Sequence, residues 1–145
     1  MNDWLYPLSG TSGRWFRDSN GKETDDTSFE VFKDMMRSPS TDDWWYLSTN
    51  FRKVKIGDRI WCYYGQADGD AGIVGLATIQ EIRHDDKEGT HDIHLKWDKR
   101  ATRRLLANPV PATVVRGYIL RPRRAVTGLN EHPKLVRLLV RAAGK

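Results

Sequence analysis

The sequence predicts an α+β fold of about five or six mostly antiparallel strands flanked by three or four short helices. Three observations predict it. Residues 59–64 and 92–97 alternate with period two, the spacing of a strand with two distinct faces. Short polar turns separate the apolar runs, which favours antiparallel neighbours. Two other stretches, residues 27–36 and 134–142, repeat their apolar residues at helical spacing instead. A sheet of this size can curl into a small barrel.

Trp4, Leu5 and Tyr6 predict the first strand, with Pro7 ending it or placing it at a sheet edge. Residues 9–13 (SGTSG) are a loop by composition. Trp15 and Phe16 follow it as core anchors or pocket walls. Residues 17–26 are polar and turn-rich. Thr27 as N-cap with Glu30 three residues on has the form of a capping box. Phe29, Phe32, Met35 and Met36 then give that helix an inward face, and residues 38–40 (SPS) end it. A helical turn is expected over residues 49–54. Lys55, Ile56, Gly57 and Asp58 form a tight turn in which glycine reaches positive φ.

The strand at residues 59–64 (RIWCYY) carries aromatic residues on both faces, so it is expected to be covered on both sides. Residues 72–82 give the next strand, with Gly75 allowing a close approach. Residues 84–91 read as a turn. Residues 92–97 then place Ile93, Leu95 and Trp97 inward and Asp92, His94 and Lys96 outward. A basic helix is expected over residues 102–106, closed by Asn108 and Pro109. Residues 114–120 read as mixed strand or turn, and residues 121–124 (RPRR) as an exposed basic clip. The last helix, residues 134–142, presents Leu135, Leu138, Leu139 and Ala142 as one stripe.

At 145 residues, with 39% hydrophobic and 30% charged, the chain reads as one domain spanning 1–145. It can bury about two-thirds of its unfolded surface. No apolar run approaches the roughly 20 residues of a membrane span. The N-terminus lacks the basic and apolar regions of a signal peptide. Cys62 is the one cysteine, which excludes an internal disulfide framework and a multi-cysteine zinc site. A buried small side chain is the expected state of Cys62, and a cytoplasmic location is the expected one.

Charge is divided unevenly. Residues 1–98 carry 12 Lys/Arg against 18 Asp/Glu, a net of −6, whereas residues 99–145 carry 12 against Glu131 alone, a net of +11. So one-sided a basic segment suggests a surface that faces a polyanion.

Motifs for catalysis are missing. His91 and His94 on a strand would point to opposite faces, and His84, His91 and His94 read as polar residues of a hairpin; no metal site is expected. No HExxH, GxSxG, GxxxxGK[ST] or GxGxxG pattern occurs. A binding module without catalytic apparatus or cofactor is the better class. Residues 44–82 are its strongest positive signal, with Trp44, Trp45, Trp61, Tyr46, Tyr63 and Tyr64 close to Ser48, Thr49 and Asn50. A nucleobase out of its stack needs flat partners and edge hydrogen bonds. Stacking is worth about 1–3 kcal/mol per base, and an asparagine amide offers both a donor and an acceptor. Trp61, Tyr64 and Trp97 read as core. Trp44, Trp45 and Ser48, which adjoin a polar loop, read as pocket.

These residues also carry a resemblance. Trp4-Leu5 near the start, Trp45 ahead of Asn50, Lys55-Ile56-Gly57-Asp58-Arg59-Ile60 before an aromatic strand, and Gly72-Ile73-Val74-Gly75-Leu76-Ala77 occur in an order similar to that of the EVE family. EVE domains are PUA-like and related to YTH and ASCH domains. The likeness covers residues 44–82 well and residues 1–43 and 99–145 weakly. It implies a PUA-like curled β-barrel flanked by helices, and a pocket for a flipped modified base, such as a methylated cytosine or adenine, in DNA or RNA. Carried over by position, Trp45 and its neighbours are walls, and Ser48 and Asn50 read the base edge. Trp15, Trp44 and Tyr63 are further wall candidates. The family's Lys-x-Glu-Pro after the opening Trp-Leu is replaced here by Tyr6-Pro7-Leu8-Ser9-Gly10.

The expected function is therefore a non-catalytic reader of a modified base. Arg100, Arg103, Arg104, Arg121, Arg123 and Arg124 would hold phosphates, which fix register while the pocket specifies. The expected partner is nucleic acid carrying such a base, beside a separate nuclease or RNA-modification system, and not a membrane. The alternatives are a generic RNA-binding PUA-like module and an ASCH-like hydrolase of modified nucleosides.

Overall fold

Residues 3–8 (DWLYPL) form a fully buried strand, β1 (Asp3–Leu8), in the middle of the molecule. The structure, a computed structural model, describes residues 1–10, 16–120, 122 and 126–145. After β1 come β2 (Phe16–Arg17), β3 (Glu23–Thr24), α1 (Phe29–Met35), β4 (Asp43–Tyr46), β5 (Arg59–Tyr64), β6 (Gly72–Asp85) and β7 (Thr90–Trp97). The chain continues through α2 (Lys99–Ala107), α3 (Ala112–Arg116), β8 (Thr127–Gly128) and α4 (Pro133–Ala142).

Six strands form one sheet in the order β4-β7-β6-β5-β1-β8, while β2 and β3 pair separately. Pairing is antiparallel except between β1 and β5, which run parallel from Asp3↔Arg59 to Leu8↔Tyr64. A hairpin cannot join parallel strands. Here residues 9–58 supply the crossover, including β2, β3, α1 and β4. Short connections therefore misstate this one pairing. The expected closed barrel does not form: β4 and β8 are both sheet edges, and β8 is only two residues long. Register shifts at Cys62/Tyr63 and at Ile79/Glu81 interrupt the ladders, and bulges of this kind bend a sheet.

Pro7 shows why β1 tolerates a proline in the middle of a sheet. The Asp3 carbonyl accepts from Leu129 on the β8 side, so Leu5 and Pro7 address that side too. Among the described residues β8 pairs with Trp4 and Leu5, and Pro7 lies beyond that pairing, a position a proline can take.

Both sheet faces are buried, which accounts for the aromatic residues on both sides of β5. Ile60, Cys62 and Tyr64 join Tyr6, Trp45, Trp97, Phe32 and Met35 on the α1 side. Trp61 and Tyr63 join Leu105, Val115, Leu135 and Leu139 on the side covered by α2, α3 and α4. Trp61, Tyr64 and Trp97 are core residues, as their spacing predicts. Gly75 is the point of close approach: a Cβ there would lie 2.7 Å from Phe32 Cζ. An aromatic ring of the fold fills that space.

Several local expectations are corrected. The N-cap of α1 is Ser28, whose Oγ accepts from Val31 N; Thr27 is buried, and its hydroxyl donates to the Ser9 carbonyl. Residues 84, 85, 90 and 91 belong to paired strands, because the hairpin tightens to residues 86–89. Residues 112–116 are helix, not strand or turn, and bury Ala112 and Val115. α2 begins at Lys99 because the Asp98 side chain caps it by accepting from Ala101 N. Gly57 has φ +93° in the expected turn.

Candidate functional site

Between the two sheet edges lies a seam closed by side chains. Tyr6 Oη donates to the Tyr46 carbonyl at 2.6 Å, tying β1 to the end of β4. Asn50 Nδ2 donates to the Val126 carbonyl at 2.6 Å, tying the loop after β4 to the segment before β8. Asn50 adopts φ +56° to do so, a left-handed conformation that asparagine tolerates better than most residues. Inside the seam, Trp45 stacks on Phe16 with ring centroids 5.5 Å apart. Tyr6 leans on it at 4.9 Å and Trp97 meets it edge-on at 5.3 Å.

Trp45 differs from the other described tryptophans in one respect. Trp4 Nε1 donates to Asp58, Trp61 Nε1 to Asp3, Trp97 Nε1 to Asp43 and Trp44 Nε1 to Asp42. Trp45 is fully buried, yet its Nε1 has no acceptor among the described residues. Ser9 Oγ, just after β1, and Thr49 Oγ1, in the loop after β4, are also buried atoms with no partner among the described residues. Buried polar atoms nearly always find partners. The seam thus gathers a flat apolar wall and an indole donor able to bond an acceptor brought to it.

The site residues read from the sequence separate into groups. Trp45 and Asn50 both border the seam, and Asn50 commits one of its two amide hydrogens to Val126, leaving one donor fewer to read a base edge. Ser48 is exposed on the same loop. Tyr63 is corrected: it lies on the opposite sheet face, in the core shared with α2, α3 and α4, because alternation along β5 sends it away from Tyr64. It cannot share a pocket with Trp45. Trp44 also points away from Trp45. It stacks on His94 at 4.6 Å and 8°, and the Arg83 guanidinium lies 4.1 Å from its ring centroid, so the ring already has two flat partners. Trp15, Arg121, Arg123 and Arg124 lie outside the described residues.

The remaining arginines are exposed on α2. Helical spacing sets Arg100 and Arg104 in a hollow with Lys145, and Arg103 with Lys99 on the side toward α1. Arg83 and His94 flanking Trp44 were missed as a unit. Their one signal is that β4 and β7 pair with Trp44 opposite His94, which no local pattern reveals.

Among the described residues no group of three or more His, Cys, Asp or Glu side chains is placed to hold a metal ion. His84 and His91 approach each other, Nδ1 to Nδ1, at 2.8 Å, and His91 stacks on Phe51 at 3.7 Å. Cys62 is buried and free, and burial pushes its thiol up. No described helix is long and apolar enough to cross a membrane.

These features define an α+β domain built on a six-stranded, mostly antiparallel sheet with helices on both faces. No family model matches the chain, and no curated protein matches it in sequence. Its fold is similar to the crystal structure of protein Atu2648 from Agrobacterium tumefaciens, with a TM-score of 0.53 and 20% identity over 99% of this chain and 94% of that one. The solution structure of Rpa0253 from Rhodopseudomonas palustris is also similar, with a TM-score of 0.51 and 19% identity over 96% and 92% of the two chains. At these identities the likeness is one of fold alone.

Proposed function

We propose that this protein is a non-catalytic, EVE-type PUA-like module of the cytoplasm that binds nucleic acid and takes one modified base into the seam beside Trp45. The unpartnered Trp45 indole nitrogen carries this reading. A base carbonyl or ring nitrogen is an acceptor that would pair it, and Tyr6 and Phe16 offer the flat surfaces a base requires. Two of the hydrogen bonds among the described residues cross the seam, so admission of a base involves opening at Tyr6–Tyr46 or Asn50–Val126. The exposed arginines of α2 and the sequence-predicted clip at residues 121–124 supply positive charge for the strand.

The test is titration of short oligonucleotides, matched except for methylated cytosine or methylated adenine, into the wild type and Trp45→Phe. Phenylalanine keeps an aromatic wall and removes the donor. Wild type is expected to favour a methylated strand at least tenfold, and Trp45→Phe to lose most of that preference while retaining unmodified binding. Equal affinity for all strands in the wild type would overturn the reading.

A second reading, nucleic-acid binding without modification readout, is favoured by the complete burial of Trp45 in the closed seam. It predicts that equality, together with a steep salt dependence carried by Arg100, Arg103 and Arg104.

A further inference from the structure

We propose a second ligand site, in the groove between α1 and α2, that takes a phosphate monoester carried on a flat apolar body. The groove has a volume of about 470 Å³, within the roughly 300–1,000 Å³ of small-molecule sites. Two helices place four cations on it: Lys33 and Arg37 from the α1 side, Lys99 and Arg103 from α2. The first two have acidic neighbours, Lys33 lying 3.0 Å from Glu30 and Arg37 3.9 Å from Asp34. Lys99 and Arg103 have no ion-pair partner among the described residues, and α2 contains no acidic residue.

Two unmatched charges one turn apart on the α2 wall of one hollow fit a dianion better than a lone carboxylate. A phosphate monoester carries about −1.5 to −2 at neutral pH, and the arginine fork matches phosphate oxygens in pairs. A bare inorganic ion would leave most of the volume empty. Met36, Pro39 and Leu106 line the same groove and give a body something apolar to lie on, with methionine able to adjust to its shape.

The groove is also preorganised. Thr102 Oγ1 both accepts from Leu76 N and donates to the Leu76 carbonyl, fixing α2 against β6. Buried Phe32 and Met35 hold α1. The same chemistry has two sources, a free nucleotide and the phosphorylated end of a nucleic-acid strand. The site does not include Trp45 and stands independently of the seam.

The experiment titrates AMP, adenosine and inorganic phosphate into the full chain, with calorimetry for affinity and methyl NMR shifts of Met36 and Leu106 for location. A 5′-phosphorylated tetranucleotide and its 5′-hydroxyl counterpart form the second arm. AMP is expected to shift both methyl signals and to bind at least tenfold more tightly than adenosine or phosphate. The exposed double variant Lys99→Gln/Arg103→Gln is expected to weaken AMP at least tenfold with an unchanged melting curve, whereas Trp45→Phe keeps AMP affinity. Preference for the 5′-phosphorylated strand over AMP assigns the strand end as the ligand's source, and the reverse assigns the free nucleotide; either supports the site. Phosphate binding as tightly as AMP, shifts confined to other residues, or full affinity in the double variant would each overturn it.

Discussion

The Trp4 indole donates to the Asp58 carboxylate at 2.9 Å, joining the first strand to a turn 54 residues further along. Asp58 is buried and also accepts from the backbone nitrogens of Asn2 and Lys55. Asp58→Ala leaves an indole and two amides without this acceptor. Each unpaired buried donor costs about 1–3 kcal/mol, so a loss on the order of 3 kcal/mol is expected in chemical denaturation. Asp58→Asn keeps one acceptor oxygen and should lose clearly less. Equal losses in the two variants would contradict this account.

Asp43 accepts from Trp97 at 2.7 Å in a similar pair. Burial pushes its carboxyl up, with the Trp97 hydrogen bond pulling the other way. The folded protein therefore keeps this proton to higher pH than the unfolded chain does. The contribution is fully favourable below the ordinary value of 3.8 and declines as pH rises through the raised one. Asp43→Asn imitates the protonated form and retains an acceptor for Trp97. Its melting temperature should exceed that of the wild type at pH 7 by a few degrees, about 2–4 °C for each kcal/mol. The gap should shrink as the pH approaches 4. A variant less stable than wild type at pH 7 would show that the carboxylate charge is not a burden.

Trp45→Ala empties the middle of the aromatic cluster. Removal of so large a side chain costs about 3–5 kcal/mol, so this variant should be visibly destabilised and unsuited to binding assays. Trp45→Phe loses less volume and also removes an unpartnered donor. A net loss of roughly 1 kcal/mol or less is expected in the same denaturation experiment.

Gly75→Ala drives a methyl group against Phe32. Overpacking of this kind costs about 1–3 kcal/mol. Phe32→Leu should relieve part of it, so the double variant should be more stable than the sum of the two single losses implies. Strict additivity in thermal melts would show that Phe32 is not the obstacle.

Asn50 separates two effects. Asn50→Gly keeps the left-handed backbone and loses only the bond to Val126, at about 1 kcal/mol. Asn50→Ala loses the bond and adds roughly 1–2 kcal/mol of backbone strain. Alanine should therefore be the worse substitution, the opposite of the usual order inside a helix or strand.

Much of the fold was legible because period and punctuation are local. The alternation at Ile93, Leu95 and Trp97, the turn at Gly57 and the stripe on α4 all follow from neighbours in sequence. What was not legible acts across distance. Trp4 with Asp58, Trp61 with Asp3 and Trp97 with Asp43 are 54–58 residues apart, so Asp58 reads only as a turn residue and nothing local marks Asp3 and Asp43 as acceptors. Tyr63 looks equivalent to Trp45 by residue type, and only the pleat of β5 separates them. The helix at residues 112–116 is rich in Val and Thr, which local propensity assigns to strands; burial of Ala112 and Val115 decides otherwise. In the seam, Trp45 was legible as a candidate, whereas its missing acceptor emerges only once the other described tryptophans have theirs.

The placement of β1 has a consequence for how the molecule is made. This strand is synthesised before both of its partners: its parallel neighbour, β5, begins 56 positions later at Arg59 and its other neighbour contributes Thr127 and Gly128. Until β5 has left the ribosome, Trp4, Leu5 and Tyr6 have no strand to pair with, and their apolar side chains must wait in the open. Pairings this remote in sequence slow folding, and such exposed intermediates attract aggregation or chaperones. The β5-β6-β7 meander, whose contacts are local, is the part expected to form first, with β1 among the last strands to be installed.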